Sequence, residues 1–342
     1  MVIKKNPREE LISLMRGFFV CPIISFFHSQ KLIEKLLSKG FKVENFKNIK
    51  NKNFLKNIFL YLVSLGLLEL KNNKKKIFKA TKIGTKIFKR SGSFLLIHSY
   101  KPFINELEKN LISKSNPNIR CDRAENVVGS GSTNNKKFFP SAIKLLKKDE
   151  IGLVADIGCG DGNFLSQISK KFPGTPLFAS DISQIAVNAA KNNLKSFKTK
   201  KNYLVCDASN VKKWSREIKK IKLKKGSKIL ITIWYILHEI SNNDPKKVIN
   251  FFNKIKKTLP NASILIGEIT RFDYKTLYLN KDNSIMPEFL FFHELSGQGI
   301  LRHEDFNLVL KKIPYKLKKN ISFDNVKVKN KKIPSAFIWY LD

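Results

Sequence analysis

Residues 154–163 read VADIGCGDGN and follow an apolar run that begins at Ile151. The run has the length and composition of a buried parallel strand. Apolar residues at helical spacing then continue from Phe164 to Phe172. A strand, a glycine turn and a helix in this order are typical of a ligand-binding site at the carboxyl end of a parallel sheet. The stretch therefore predicts an α/β domain with a nucleotide-type site.

The glycine turn differs from the loops that bind dinucleotides or phosphates. Gly158, Gly160 and Gly162 stand at every second position, whereas a dinucleotide loop commonly reads G-x-G-x-x-G. Asp156 lies inside the turn and no lysine does, so the turn suits a ligand with an ammonium group better than a phosphate. An ordinary tight connection between strand and helix would carry the same glycines, which makes this motif alone a weak signal.

The composition indicates a globular chain without a targeting segment. A length of 342 residues allows one large or two modest domains, and an apolar fraction of 42% is too high for a disordered chain. The four cysteines lack metal or redox spacing, which is typical of reduced thiols. The first ten residues are charged and contain no signal-peptide core, and the apolar stretch 17–27 is about half a membrane span. We therefore expect a cytoplasmic protein with no membrane segment.

The net charge of +38 is compatible with nucleic-acid binding. Most of the basic residues are lysines spread along the chain, however, and arginine is scarce. Arginine is the residue that reads bases and binds phosphates through paired hydrogen bonds. An excess of lysine, asparagine and isoleucine also arises from A/T-rich coding sequence. We therefore expect no nucleic-acid partner, and a nucleic-acid-binding regulator is the less favoured alternative.

Strands and helices alternate from residue 151 onwards, which predicts a parallel sheet. The second and third predicted strands end in Asp181 and Asp207, at the edge of the sheet where such folds bind ligands. Asp181 follows Asp156 by 25 positions, close to the spacing at which an acid meets ribose hydroxyls. A single aspartate at a strand end is usually a helix cap, but three in register favour a ligand site.

These motifs together resemble those of the class I S-adenosylmethionine-dependent methyltransferases over roughly residues 150–340. The resemblance implies a Rossmann-like, seven-stranded α/β sheet and S-adenosylmethionine as the cofactor. The cofactor-binding residues that it implies are Asp156, Gly158 and Gly160 for the amino acid portion, Asp181 for ribose, Asp207 for adenine, and Ile182 and Ala208 next to the last two acids.

The preceding part of the chain predicts a helical domain with a hairpin. Apolar residues recur at helical spacing in 11–40 and 53–67, and two short strands flank a lysine-asparagine turn within 67–80. This order resembles the winged-helix-like N-terminal domain of small-molecule methyltransferases, which dimerises. The lysine-rich turn would also suit a DNA-binding wing, the competing interpretation. We predict a dimerisation domain over residues 1–110, a methyltransferase domain over 111–342, and a homodimer.

The fourth predicted strand runs into residues 237–244, which read LHEISNND. The segment is similar to one in small-molecule O-methyltransferases, in which a histidine follows apolar residues and precedes an acid. The resemblance implies that His238 is a general base for an acceptor hydroxyl, and the near-neutral pKa of histidine suits that role. A structural histidine bonded to a backbone carbonyl is the alternative.

A second histidine, His293, lies in residues 286–299, which read MPEFLFFHELSGQG. O-methyltransferases usually carry an aspartate and a glycine-arginine-threonine turn in this region, so the stretch departs from their pattern. Together with His238 and Glu239, it resembles the 2-oxo acid C-methyltransferases. In that subgroup two histidines bind a non-haem iron, and the substrate completes the site through its carboxylate and keto oxygens.

The second resemblance gives the leading interpretation of the sequence, C-methylation of a small-molecule 2-oxo acid at C3. It implies that His238 and His293 bind Fe2+, which would hold the enolate as a Lewis acid. Glu239 would remove the C3 proton or orient a water, and Arg123, or alternatively Arg120, would pair with the substrate carboxylate. O-methylation with His238 as the base is the alternative, and it needs no metal.

Overall fold

The computed structural model describes residues 6–72, 76–112, 121–147, 151–223, 226–280, 286–296, 298–328 and 331–342. The chain forms two compact units. The first comprises Met1–Ile104 and Ala124–Thr133, and the second comprises Asn105–Arg123 and Asn134–Asp342. The predicted domain boundary at residue 110 therefore lies in the first segment of the second unit.

The first unit is mainly helical and contains a two-stranded antiparallel sheet. Its elements are α1 (Pro7–Ser29), α2 (Ile33–Leu36), a short 3-10 helix (Val43–Asn45), α3 (Lys52–Ser64), β1 (Leu68–Asn72), β2 (Ile77–Ala80), α4 (Lys82–Phe88), α5 (Ser91–His98) and α6 (Lys101–Asn105). Asn51 caps α3 by accepting a hydrogen bond from the Phe54 backbone N–H at 2.9 Å. Phe59 packs in an aromatic cluster against Phe27 and Phe78. The predicted hairpin is confirmed, whereas a winged-helix assignment for this unit stays a prediction.

Helix α1 leaves much of its apolar surface uncovered. Leu14 and Phe18, four positions apart, are each 67% exposed. By length and composition α1 is able to cross a membrane, with a mean hydropathy of 1.6. Only 17% of that apolar window is buried. The continuous helix is longer than the half-span expected from the sequence, because Pro22 lies within it without ending it.

The second unit carries the mixed sheet and its flanking helices. Its elements are α7 (Leu107–Ile112), α8 (Arg123–Asn134, whose middle belongs to the first unit), α9 (Phe138–Ile143), β3 (Ile151–Ile157), α10 (Asn163–Lys171), β4 (Leu177–Asp181), α11 (Gln184–Leu194), β5 (Lys201–Val205), α12 (Val211–Lys219), β6 (Lys228–Trp234), α13 (Leu237–Ser241), α14 (Pro245–Thr258), β7 (Ala262–Ile269), α15 (Tyr274–Asn280), α16 (Met286–Leu295), α17 (His303–Lys312), β8 (Leu317–Val328) and β9 (Lys331–Leu341).

Seven strands of the described chain form one sheet in the order β5-β4-β3-β6-β7-β9-β8. Strands β3 to β7 run parallel, β9 pairs antiparallel with β7, and β8 pairs antiparallel with β9. This arrangement confirms the predicted seven-stranded α/β fold, including its closing antiparallel hairpin.

Helices cover both faces of the sheet, as the apolar character of its central strands requires. On one face Leu153 and Ala155 of β3 pack in a core that includes Trp214 of α12 and Phe252 of α14. On the other face Val154 belongs to a core with Phe164 of α10. The alternation along β3 places Asp156 on the same face as Val154. The carboxyl ends of β3, β4, β6 and β7 therefore lie at one edge of the sheet.

Candidate active site

The glycine turn after β3 requires glycine for both backbone and packing reasons. Gly158 has φ +78°, and a Cβ there would lie 2.5 Å from Cδ1 of Ile236. The backbone N–H groups of Gly158 and Cys159 both donate to the Ser180 carbonyl at 2.8 Å. These bonds fix the turn against the end of β4. The backbone at Gly158 also lies so close to Ile236 that there is no room for a side chain.

Three carboxyl groups gather beside this turn. Asp156 is fully buried, and its Oδ1 accepts a hydrogen bond from Thr232 Oγ1 at 2.6 Å. Burial, and then the charges of Asp181 and Asp161, raise its pKa to about 7 despite the Thr232 bond. Burial also raises the pKa of Asp161 to about 6. A buried carboxyl group whose charge is disfavoured by burial and by neighbouring acids, as at Asp156, is suited to a cationic ligand.

Asp156 Oδ2 supplies a specific test of the cofactor fit, because this buried oxygen has no hydrogen-bond partner among the residues that the structure describes. An unpartnered buried acceptor is costly and is usually completed by a ligand or water. The ammonium of an amino acid group is a donor of the right charge. The residues present therefore fit the amino acid end of S-adenosylmethionine.

The remaining predicted cofactor residues follow β4 and β5. Asp181 Oδ2 accepts from the Gly160 N–H at 3.1 Å, and its Oδ1 accepts from the Ser183 N–H at 2.9 Å. Ile182 is 55% exposed. Asp207 is exposed beyond the end of β5, and the Ala208 carbonyl accepts from Trp214 Nε1 at 2.9 Å. Their roles toward the cofactor stay predictions.

His238 lies on α13, directly after β6, and its side chain is buried against β7. Its Nδ1 donates to Glu268 Oε1 at 3.0 Å, and Glu268 is fully buried. The same carboxylate accepts the backbone N–H of His238 at 3.3 Å and that of Ile269 at 3.0 Å. Burial acts to lower the pKa of His238, but the charge and hydrogen bond of Glu268 outweigh it and raise the pKa above its ordinary value.

His293 lies on α16, and the structure brings it next to His238. The centroids of the two imidazole rings are 4.7 Å apart, with the rings nearly perpendicular. His293 Nδ1 donates to the Phe289 carbonyl at 2.6 Å, and the two rings of this pair stack at 3.9 Å. Burial and the nearby His238 lower the pKa of His293 to about 3, so it is neutral at physiological pH. The predicted convergence of the two histidines is confirmed.

The two histidines form a sparse donor set for a metal. No group of three or more His, Cys, Asp or Glu side chains that would hold an ion is found among the described residues. Each Nδ1 is bonded to an oxygen acceptor, which is common for histidines that bind a metal through Nε2. Neither Nε2 has a hydrogen-bond partner in the described part of the chain.

Arg123 and Glu239 lie near these histidines on the more open side. Arg123 Nη1 is 3.7 Å from Glu239 Oε1, and Gln298 Nε2 donates to the same oxygen at 3.4 Å. Burial acts to lower the pKa of Arg123, but the charges of Glu239 and Asp181 raise it overall. Arg123 is therefore close enough to Asp181 and to His238 for electrostatic interaction with both. Arg120, the alternative partner for a substrate carboxylate, lies outside the described residues.

Three residues of this site were not assigned from the sequence, namely Glu268, Asp161 and Thr232. The sequence could have identified Glu268 as a site residue, since it is an acid near the end of a buried strand, as Asp181 is. Asp161 stands within the glycine turn that the sequence singled out. Thr232 gave no signal, because a threonine inside a buried strand is ordinary in a sheet.

The profile of a methyltransferase-domain family matches residues 154–258, from β3 to the end of α14. The match includes Asp156, Asp181 and His238. Residues 154–258 are therefore a methyltransferase domain, and the chain has the fold of S-adenosylmethionine-dependent methyltransferases. A comparison with curated protein sequences gave no match.

Several solved structures share the fold of this methyltransferase along its whole length. An O-methyltransferase family protein from Burkholderia thailandensis has a TM-score of 0.61 at 11% identity, and the alignment covers 98% of both chains. Human N-acetylserotonin methyltransferase in complex with S-adenosylmethionine has a TM-score of 0.60 at 13% identity, with 100% of this chain and 99% of that chain covered. Mitomycin 7-O-methyltransferase MmcR has a TM-score of 0.56 at 12% identity, with 98% and 97% covered. At sequence identities this low, the structural similarity shows a shared fold and not a shared substrate.

Proposed function

We propose that this methyltransferase transfers a methyl group to a hydroxyl oxygen of a small molecule, with His238 as the general base. The observation that carries the proposal is the buried His238–Glu268 pair, whose 3.0 Å bond at Nδ1 leaves Nε2 available. Structures with the same fold that are named as O-methyltransferases add support. This function was the alternative, rather than the leading interpretation, of the sequence.

The chemistry requires a base and a positioned acceptor. S-adenosylmethionine supplies an electrophilic methyl group on a sulfonium. His238 Nε2 accepts the acceptor's hydroxyl proton while the hydroxyl oxygen bonds to the methyl carbon and the carbon–sulfur bond breaks. Glu268 stabilises the imidazolium that results and keeps the ring oriented. His293, neutral and stacked on Phe289, lies beside that ring and narrows the space for the acceptor.

A second candidate function is C-methylation of a 2-oxo acid with Fe2+, and the proximity of the two histidines favours it. The two ring centroids are 4.7 Å apart, and imidazole nitrogens are donors that iron accepts. His238 and His293 would hold the ion, which would supply Lewis acidity. Arg123 would pair with the acceptor's carboxylate, and Glu239 would accept the C3 proton.

Replacement of His293 separates the two functions. If His238 acts as a base alone, we expect His293→Ala to keep at least about a tenth of the wild-type kcat, because the variant loses packing but no proton acceptor. Chelators should then have no effect. If the histidines bind iron, the variant should lose metal content and turnover together. The assay uses a panel of hydroxyl and 2-oxo acid acceptors with labelled cofactor.

His303→Ala is the matched control, since His303 lies at the start of α17 and has no assigned role. It should change neither metal content nor kcat. Elemental analysis of purified wild-type protein completes the comparison. Full turnover by a metal-free preparation would reject the iron mechanism, and a stoichiometric metal lost in His293→Ala would reject the metal-free one.

We also propose that the protein is a homodimer joined through α1. The exposed stripe of this helix, at positions typical of one apolar face, consists of Leu11, Leu14, Met15, Phe18 and Phe19, each more than half exposed. An uncovered apolar stripe of this kind marks an interaction surface more often than free surface. A second copy of the same helix, packed antiparallel, would cover it symmetrically.

The dimer prediction is tested by placing a charge in the stripe. We expect Phe18→Asp to convert a dimer into a monomer at micromolar concentration, measured by light scattering. Phe54→Asp is the matched control, because Phe54 of α3 is 62% exposed but outside the stripe. A monomeric wild-type protein would refute the proposal, and recovery of that protein with lipid vesicles would indicate a membrane surface instead.

A cytoplasmic location is the remaining proposal about this protein. Its support is that Cys21, Cys121, Cys159 and Cys206 are all free. Reduced cysteines are usual in the cytosol.

A further inference from the structure

Arg271 joins the two chain segments that carry the site histidines. It follows β7, and its guanidinium makes two hydrogen bonds in different directions. Nη1 donates to Asn243 Oδ1 at 3.2 Å, and Nη2 donates to Glu294 Oε1 at 2.6 Å. Asn243 lies five positions after His238, and Glu294 directly follows His293. One side chain therefore holds both segments from outside the site.

Neighbouring contacts make this connection specific. Tyr274 Oη donates to the other oxygen of Glu294, so that carboxylate is held from two sides. The Arg271 backbone N–H donates to the Leu301 carbonyl at 2.9 Å, which fixes the base of the arginine side chain. A Cβ on Gly299 would lie 1.9 Å from the Asn243 backbone nitrogen, so the segment after α16 passes directly against the segment after α13.

The polar contacts of Arg271 are too exposed to serve mainly as a source of stability. The side chains of Arg271 and Glu294 are 28% and 33% exposed. Partly exposed ion pairs of this kind contribute little to the free energy of unfolding. A planar guanidinium nevertheless fixes two acceptors in a defined relative position, which a lysine ammonium does not.

We propose that Arg271 is a positioning residue that sets the separation of His238 and His293. It touches neither histidine and acts through Asn243 and Glu294. Helix α16 is also held by the Tyr274–Glu294 hydrogen bond and by packing in an apolar cluster that includes Leu290, Phe272 and Ile300. Apolar packing resists sliding less than a directed bond does. The catalytic consequence rests on the proposed function, since it assumes that acceptors are methylated beside these histidines. The geometric role of Arg271 does not depend on the proposed function.

The test compares Arg271→Lys with Arg302→Lys. Arg302 is an exposed neighbour, and among the described residues its side chain makes no hydrogen bond or ion pair with Asn243 or Glu294. In wild-type protein, rings with centroids 4.7 Å apart should show a nuclear Overhauser cross-peak between the His238 and His293 ring protons. The chain has five histidines, so these signals are assignable with single variants. We expect the cross-peak to weaken or vanish in Arg271→Lys and to persist in Arg302→Lys.

Kinetics then show whether that geometry matters for the reaction. A shift of about 1 Å in a reacting group lowers turnover by roughly 10²-fold, so kcat of Arg271→Lys should fall about 10- to 100-fold. Its melting temperature and its affinity for S-adenosylmethionine should stay near the wild-type values. The paired exchange Arg271→Glu with Glu294→Arg keeps an ion pair and should restore the cross-peak and part of kcat.

Two results would overturn the positioning role. One is an unchanged cross-peak in Arg271→Lys, and the other is an equal loss in both lysine variants. Because the cross-peak is measured without turnover, a protein that methylates no tested acceptor would contradict the proposed function and leave the geometric test intact.

Discussion

Replacing His238 with alanine is expected to lower kcat by about 10²- to 10⁴-fold, the usual contribution of a positioned general base. The imidazole is the titratable side chain that meets the base requirement, since its Nδ1 is held by Glu268 and its Nε2 faces no protein partner among the described residues. Affinity for S-adenosylmethionine should change little, because the acids beside the glycine turn lie on other strands. Turnover with a responsive acceptor and calorimetry with the cofactor measure the two quantities separately.

Glu268→Gln tests the same base while keeping the imidazole, because it removes only the charge beside His238. The Glu268 charge raises the pKa of His238, and only neutral His238 accepts a proton. Wild-type kcat/KM should therefore fall as pH drops through a pKa above the ordinary value of 6.5. Without the charge that pKa decreases, so the acid limb of the profile should move to lower pH. The maximal kcat should also fall, because the amide no longer stabilises an imidazolium.

Both variants can also contradict the assignment of His238 as the base. If Glu268→Gln keeps the wild-type acid limb, the group that titrates is not His238, and the base must be sought elsewhere. If His238→Ala retains turnover, the buried His238–Glu268 pair is structural and His238 is not the base. Melting temperatures of both variants are needed, because Glu268 also accepts two backbone N–H groups and its loss leaves them unpaired.

The fold was predictable because two features of the sequence, an apolar run and an acid at its end, identify the same strands. Strand β4 (Leu177–Asp181) ends at Asp181 as predicted, because the end of the apolar run and the acid that follows it coincide. Strand β5 was expected to reach Asp207 but ends at Val205. The Cys206 N–H still bonds the Asp181 carbonyl at 2.9 Å, and Asp207 then turns to cap its own loop through the Ser209 N–H. Such a competition between ladder and turn is local geometry that composition does not encode.

The site was predictable only as far as the topology determines it. His238 and His293 come after β6 and β7, and neighbouring parallel strands bring the segments that succeed them to the same edge, so the convergence of the histidines could be inferred. The side chains that orient them could not. The Glu268 bond depends on the pleat and register of β7, and the Arg271 bonds depend on a long side chain crossing between loops. Neither contact has a sequence spacing that identifies it.

Asp181→Ala is expected to weaken S-adenosylmethionine binding by roughly 2 kcal/mol or more, about 30-fold in Kd. The resemblance assigns Asp181 to the ribose hydroxyls. The structure adds that each of its oxygens also accepts a backbone N–H, one from Gly160 and one from Ser183. The substitution therefore removes ligand bonds and releases the glycine turn together.

Asp181→Asn separates these two contributions. Asparagine keeps one acceptor oxygen for the Gly160 N–H and loses the charge, so the turn should hold while the paired hydroxyl bonds weaken. The Ser183 N–H loses its acceptor, so we expect an intermediate loss of affinity and a melting temperature between those of wild-type protein and Asp181→Ala. Asp207→Ala serves as the comparison, because that exposed aspartate should contribute less than a buried one. Calorimetry that finds wild-type affinity in Asp181→Ala would place the cofactor away from the carboxyl end of β4.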